Sequence, residues 1–211
     1  RNFGSDEFIT GDTAVVGCDR QQSDKGAAYV FKLVDGTWQQ TAKLTPSDGH
    51  TYDWFGRRIA MSGDRIIVGA FGAYVRPNGN QGAAYVFRLV DGEWQQTAKL
   101  TTNDGVRYGH FGASVSISGN RAIVRARYTS PQNKTAAYIF EVVDGEWQQT
   151  TKLTTDWADA EPDFDPNNGK TDERGGAVAI SGDLAVVGYR NDKTNDIKYT
   201  TRVHRRTDGT W

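Results

Sequence analysis

Cysteine is almost missing from this chain, which has one, Cys18, in 211 residues. No intrachain disulfide can form. Cys18 stands where a later repeat has Ala70, so the reading is a small buried side chain rather than a reactive thiol. Histidine is scarce too. His50, His110 and His204 fall in unrelated positions, with no paired metal-ligand histidines, no nucleophile elbow and no phosphate loop. An excess of either charge is lacking: 25 Lys and Arg face 26 Asp and Glu, a net charge of −1. That excludes the basic field of a nucleic-acid binder and a charge block for an anionic membrane. The longest apolar runs are strand length, so none spans a bilayer. No apolar series at i, i+3, i+4 and i+7 is long enough for a helix.

What is present is repetition. Gly82–Thr101 reads GAAYVFRLVDGEWQQTAKLT, and Gly26–Thr45 differs from it at two of twenty positions. Thr135–Thr154 is a third copy. A fixed repeat means an array of similar units. Each copy reads as a β-hairpin. Ala83, Tyr85, Phe87 and Leu89 share one face of its first arm, and Ala84, Val86, Arg88 and Val90 the other. Both faces are largely apolar, as in a covered strand. Asp91-Gly92 supplies the positive φ of a tight turn. The return arm from Trp94 alternates with polar residues and reads as an outer, half-exposed strand.

A second hairpin precedes each copy. Phe3-Gly4, Phe55-Gly56 and Phe111-Gly112 lead through Gly11-Asp12, Ser62-Gly63-Asp64 and Ser118-Gly119-Asn120 into short apolar strands. A fourth, weaker unit has Arg174-Gly175 and then Ser181-Gly182-Asp183. Each unit is therefore four antiparallel strands, the size of a propeller blade. The expected class is all-β, a β-propeller of four-stranded antiparallel blades. One domain is expected over 1–211, or part of one, with repeats near 1–51, 52–107, 108–170 and 171–211.

At the Phe-Gly and Val-Gly-Ala positions the chain resembles FG-GAP repeats of integrin-like β-propellers, in their bacterial form. Phe111 to Gly119, FGASVSISG, carries that resemblance most closely. It implies more blades than four, and the last unit stops at Trp211, the counterpart of Trp38, without an outer strand. A fragment of a longer chain, a small ring, or chains completing one another would each fit. The resemblance also implies calcium in a D-x-D-x-D-G loop. Here that loop has shrunk to one acidic or amide residue per turn, short of the ~6–8 oxygens calcium takes. No cofactor is expected, and calcium is disfavoured. A separate metal candidate is Asp163, Asp165 and Asn167 before Gly169, in an acidic crossover. Arg174 stands where an EF-type loop needs Glu, so a solvated acidic loop is the better reading.

Strand parity gives the functional expectation. The first and third connections of each unit share one end and are short and uniform. The second connections and the crossovers share the other end and are long and diverse. Loops on a rigid scaffold are where binding residues concentrate. These carry Tyr52, Asp53, Trp54, Tyr74, Arg76, Asn78, Tyr108, His110, Tyr128 and Trp157. Aromatic faces beside hydrogen-bonding groups suit a carbohydrate or a surface protein. For Trp54, packing between blades is an equal alternative. The expected function is a non-catalytic, lectin-like or adhesive binding module, extracellular or at the cell surface. The alternatives are an assembly subunit whose incomplete fourth blade pairs with another chain and, less well supported, an enzyme with a loop-face site. Arg202, His204, Arg205 and Arg206 suggest an anion site or, better, an edge strand kept soluble by charge.

Overall fold

A computed structural model describes residues 3–21, 24–127, 135–154, 176–191 and 198–211. Among them every regular element is a strand, and the strands form four antiparallel sheets in chain order. The first blade is β1 (Glu7–Thr10), β2 (Thr13–Cys18), β3 (Ala27–Val34) and β4 (Thr37–Leu44). The second is β5 (Arg58–Ser62), β6 (Arg65–Ala70), β7 (Ala83–Val90) and β8 (Glu93–Leu100). The third is β9 (Ser114–Ser118), β10 (Arg121–Ala126), β11 (Ala136–Val143) and β12 (Glu146–Thr154). The fourth has three strands, β13 (Val178–Ser181), β14 (Leu184–Asn191) and β15 (Lys198–Arg205). The hairpin turns follow from their sequence: Asp91 and Gly92 both take positive φ, 51° and 85°, which matches the twist of the flanking strands.

The blades stack in series through their first strands, β1 on β5, β5 on β9 and β9 on β13, and do not close into a ring. Each boundary holds its own apolar core. Between the first two blades Val15, Val30 and Leu44 meet Phe55, Ile66 and Tyr85. Between the next two, Ile67, Val86 and Leu100 meet Phe111, Val124 and Tyr138. The smaller third core sets Ile123, Ile139 and Leu153 against Val178, Ile180 and Val187. Burial of both faces explains why β7 and β11 are apolar on both. Cys18 is fully buried, and burial raises its thiol pKa, with the Asp19 charge adding to that.

The Phe-Gly motif is a boundary device. Phe55 is buried with its ring edge-on to Tyr85 and Phe87, at 5.7 and 5.9 Å. Gly56 follows at φ +93, and a Cβ there would stand 2.3 Å from the Ala27 carbonyl oxygen. Gly17 and Gly26 of the first blade close on the same spot, where a Cβ would lie 1.8 Å from Gly56 O or 1.9 Å from Phe55 O. The three glycines of the repeat thus form one backbone-to-backbone contact between neighbours. Gly69, Gly82 and Gly112 repeat it at the next boundary.

Candidate functional site: the loop face

Antiparallel order puts the β1–β2 and β3–β4 turns at one end of each blade, and the β2–β3 loop and the crossover at the other. Loops 19–26 and 71–82 and crossovers 45–57 and 101–113 therefore share one face. They are tied together by backbone. Phe55 N–H donates to Lys25 O at 3.1 Å, Phe111 N–H to Gln81 O at 2.8 Å, and Tyr108 N–H to Asn80 O at 2.8 Å. Gln81 is buried, receives Asn78 Nδ2 at 2.8 Å and donates to Thr102 O at 3.2 Å. These contacts hold the loops as one rigid shelf.

The expected site residues divide by what they touch. Tyr52, Tyr74 and Tyr108 are 56%, 47% and 45% exposed. Tyr52 and Tyr108 occupy the same place in successive repeats, both with left-handed backbone, φ 68° and 61°. Trp54 and His110, two residues on, repeat that geometry at 50° and 53°. Four non-glycine residues in a region costing of order 1 kcal/mol each persist because their surroundings over-determine them. Trp54 is half-buried and stacks on Phe71, with centroids 4.8 Å apart and planes at 12°. His110 meets the Phe71 ring edge-on at 5.3 Å. Arg57 lies over the same ring at 5.2 Å and reaches Asp19 at 3.4 Å. Phe71, unnoticed in sequence, is thus the hub of a Tyr52–Trp54–Phe71–His110 aromatic row. Asp53 is buried, and its carboxylate accepts His50 N–H at 2.7 Å, so it is spent inside the shelf. Burial raises its pKa, with the His50 hydrogen bond working against that. Arg76 is exposed. Tyr128, Trp157 and the metal candidate Asp163, Asp165 and Asn167 lie outside the described residues.

Electrostatics on the shelf are uneven. Burial, helped by the Arg127 and Arg57 charges, brings the His110 pKa down to about 4, so its imidazole is neutral near pH 7. Asp48 and Asp104, also unnoticed in sequence, hold the shelf to the blades. Asp104 accepts from Thr102, Tyr138 and Lys152. Their signal was available, since they recur at the same 56-residue offset as Phe55 and Phe111. Of the four basic residues Arg202, His204, Arg205 and Arg206, Arg206, just past β15, donates from Nη2 to Glu141 at 3.2 Å, beside Trp211 Nε1 at 3.0 Å. Burial, with Arg202 beside it, lowers the His204 pKa. Among the described residues no three His, Cys, Asp or Glu side chains are grouped to hold a metal, and no helix is long and apolar enough to cross a membrane.

Comparison with known proteins agrees with this repeat architecture. The FG-GAP repeat family model matches residues 38–87 and 94–140. Human (Homo sapiens) integrin alpha-D is 27% identical over 139 residues, 60% of this chain. The aligned part is 12% of that protein's length, so the chain spans a small portion of this relative. Among solved structures, the N-terminal domain of Nup159 aligns with a TM-score of 0.43 at 11% identity, over 96% of this chain and 45% of that one. Two matched repeats, and blades whose boundaries are built from the Phe-Gly motif itself, show that this chain carries FG-GAP repeats, with weak similarity to an integrin alpha chain.

Proposed function

We propose that this chain is a non-catalytic recognition module, extracellular or at the cell surface, whose loop face binds a carbohydrate or protein partner. One observation carries the reading: Tyr52 and Tyr108 are exposed at equivalent points of successive crossovers, each held by a left-handed backbone. Strained backbone supporting an exposed aromatic ring is stored structure, and recognition is what such storage serves. A rigid tyrosine also contributes large contact area with little entropy lost on binding. A glycan array together with capture of cell-surface proteins tests this, run on the wild type and on Tyr52→Ala/Tyr108→Ala. Binding that the double variant loses supports the reading. Binding indifferent to both tyrosines defeats it.

A second reading, assembly, has its own observation, at the first blade. Phe3 is 58% exposed, whereas its counterparts Phe55 and Phe111 are 0% and 1% exposed. Ile9 is 66% exposed against 9% for Met61. A face built like a blade boundary is therefore uncovered, and another blade suits it. Sedimentation equilibrium of the wild type and Ile9→Asp decides: a monomer in both defeats assembly of this chain with itself.

A further inference from the structure

The chemical class of the partner follows from which charges on the loop face are left over. Among the described residues of the face, the acids other than Asp24 are engaged inside the fold. Asp19 takes Ser5 and Arg57, Asp48 takes Tyr85 and Lys99, Asp53 takes His50 N–H, and Asp104 takes Thr102, Tyr138 and Lys152. Asp24, at the first blade's edge of the face, is the exception. The bases are not matched in this way. Arg76 and Arg107 are exposed, and no carboxylate among the described residues pairs with either. They flank one small hairpin. Arg76 adjoins Val75, which donates to Gly79 O at 2.7 Å. The Arg107 side chain lies beside Gly79, its Cγ 3.7 Å from where a Cβ would be. Its guanidinium sits over the Tyr108 ring, 5.0 Å from the centroid.

We infer that the face formed by Tyr74, Arg76, Arg107 and Tyr108, with Tyr52 beyond, binds an anionic polysaccharide carrying sulfate or carboxylate groups. This rests on the loop-face reading above. A guanidinium presents a planar fork that matches sulfate and carboxylate oxygens. A tyrosine ring offers an apolar face to the C–H face of a pyranose. One fork lies over a ring, Arg107 on Tyr108, and a second, Arg76, adjoins the same hairpin, which fits a chain polymer with a charge on each repeating unit. The site is positive locally although the chain as a whole is at −1, so attraction depends on the patch and not on net charge.

The test measures binding of immobilised dextran sulfate, uncharged dextran of equal length and polyglutamate to the whole chain. Dextran sulfate is expected to bind, dextran and polyglutamate far more weakly. Arg76→Gln/Arg107→Gln is expected to weaken it by about tenfold or more, and Tyr108→Ala by about fivefold or more. Raising salt from about 50 to about 200 mM should cost roughly another tenfold. All these side chains are exposed, and an unchanged melting temperature confirms that each variant is folded. Equal binding of polyglutamate, with the same dependence on both arginines, overturns the polysaccharide in favour of an acidic peptide. Equal binding of neutral dextran, lost in Tyr108→Ala but kept in the arginine variant, overturns the anionic class and leaves the loop-face reading standing. Binding that no variant alters, or none at all, overturns the inference.

Discussion

Tyr85 and Asp48 join two blades through one hydrogen bond, the phenol donating to Oδ1 at 2.8 Å across the boundary. Lys99 takes the other carboxylate oxygen at 2.6 Å. Tyr138 and Lys152 treat Asp104 in the same way at the next boundary. The crossover leaving one blade is thereby clasped by the third and fourth strands of the next. Burial raises the Asp48 pKa, but the hydrogen bonds from Lys99 and Tyr85 outweigh it and leave the carboxyl below its ordinary value. Asp104 follows the same pattern, with Lys152, Thr102 and Tyr138 outweighing burial. A carboxylate with a depressed folded pKa contributes stability above its unfolded pKa, near 4, and loses it as pH falls through the folded value. Asp48→Asn should cost about 1 kcal/mol at neutral pH, a modest figure because half-exposed pairs are screened. Chemical denaturation near pH 7 and below pH 3 checks this, and the variant should approach the wild type in acid.

His110 gives a second pH signature with a different window. Its folded pKa, about 4, lies below the value of an unfolded histidine. A base buried in its neutral form costs nothing at pH 7. The penalty begins as pH falls below about 6.5, where the unfolded chain takes the proton, and levels off near the folded pKa. Its ceiling is about 3 kcal/mol. His110→Phe keeps a ring against Phe71 and removes the titration. The variant should therefore gain on the wild type between about pH 6 and pH 4. An NMR titration of the imidazole should find its midpoint near 4, and a midpoint near 6.5 would refute the burial assigned to it.

The glycine contact between blades separates two kinds of substitution. Gly112 sits at φ +90, where a Cβ would stand 2.3 Å from the Ala83 carbonyl oxygen. Gly92 sits at φ +85 in a hairpin with nothing within 4 Å. Both alanines suffer the same backbone strain, and only one also meets a wall. Gly92→Ala should cost ~1 kcal/mol and Gly112→Ala ~3 kcal/mol or more. Urea unfolding midpoints give the comparison, and equal losses would mean that the boundary can widen.

Much of this architecture was legible because duplication does the reading. Twenty nearly identical residues with an Asp-Gly turn define a hairpin, and three Phe-Gly starts set the blade spacing. The crossovers were harder. Tyr52 and Tyr108 were visible as loop aromatics, but not that both adopt left-handed backbone, since nothing in a tyrosine announces it. Asp53 looked like a ligand group and is a buried acceptor, because the turn it forms with His50 brings the His50 N–H onto its carboxylate. Phe71 carries no signal of its own, because its partners Trp54, Arg57 and His110 come from other segments. One substitution pattern was readable in advance. Where the fourth unit replaces Phe-Gly with Arg174-Gly175, the preceding blade carries Arg125 in place of Gly69 and Thr135 in place of Gly82. Three positions of the repeat thus change together in sequence, which a single chain can reveal only because it repeats.

The stacking of first strands raises a problem that serines solve, and this gives the last prediction. A first strand is an edge strand, with one row of amides unpaired by its own sheet. Along β13 the amides of Val178, Ile180 and Gly182 donate to Ser114, Ser116 and Ser118 Oγ on β9, at 3.1, 3.2 and 3.1 Å. The alternation S-x-S-x-S in Ser114–Ser118 supplies one hydroxyl per exposed amide, because strand period and amide period are both two. Asp6 does the same for Ile59 N–H at 2.8 Å, and Ser62 for Gly119 N–H at 3.0 Å. Ser116→Ala removes the acceptor without adding bulk, leaving a part-buried amide to find water. The cost should be ~1 kcal/mol. Hydrogen exchange should localise it, with the Ile180 amide exchanging several-fold faster while core amides of β14 slow or quicken only with global stability. Ser116→Thr, which keeps the hydroxyl, should restore protection at Ile180. If the alanine variant leaves that amide as slow as before, another acceptor serves β13 and the serine ladder is not what holds the fourth blade in register.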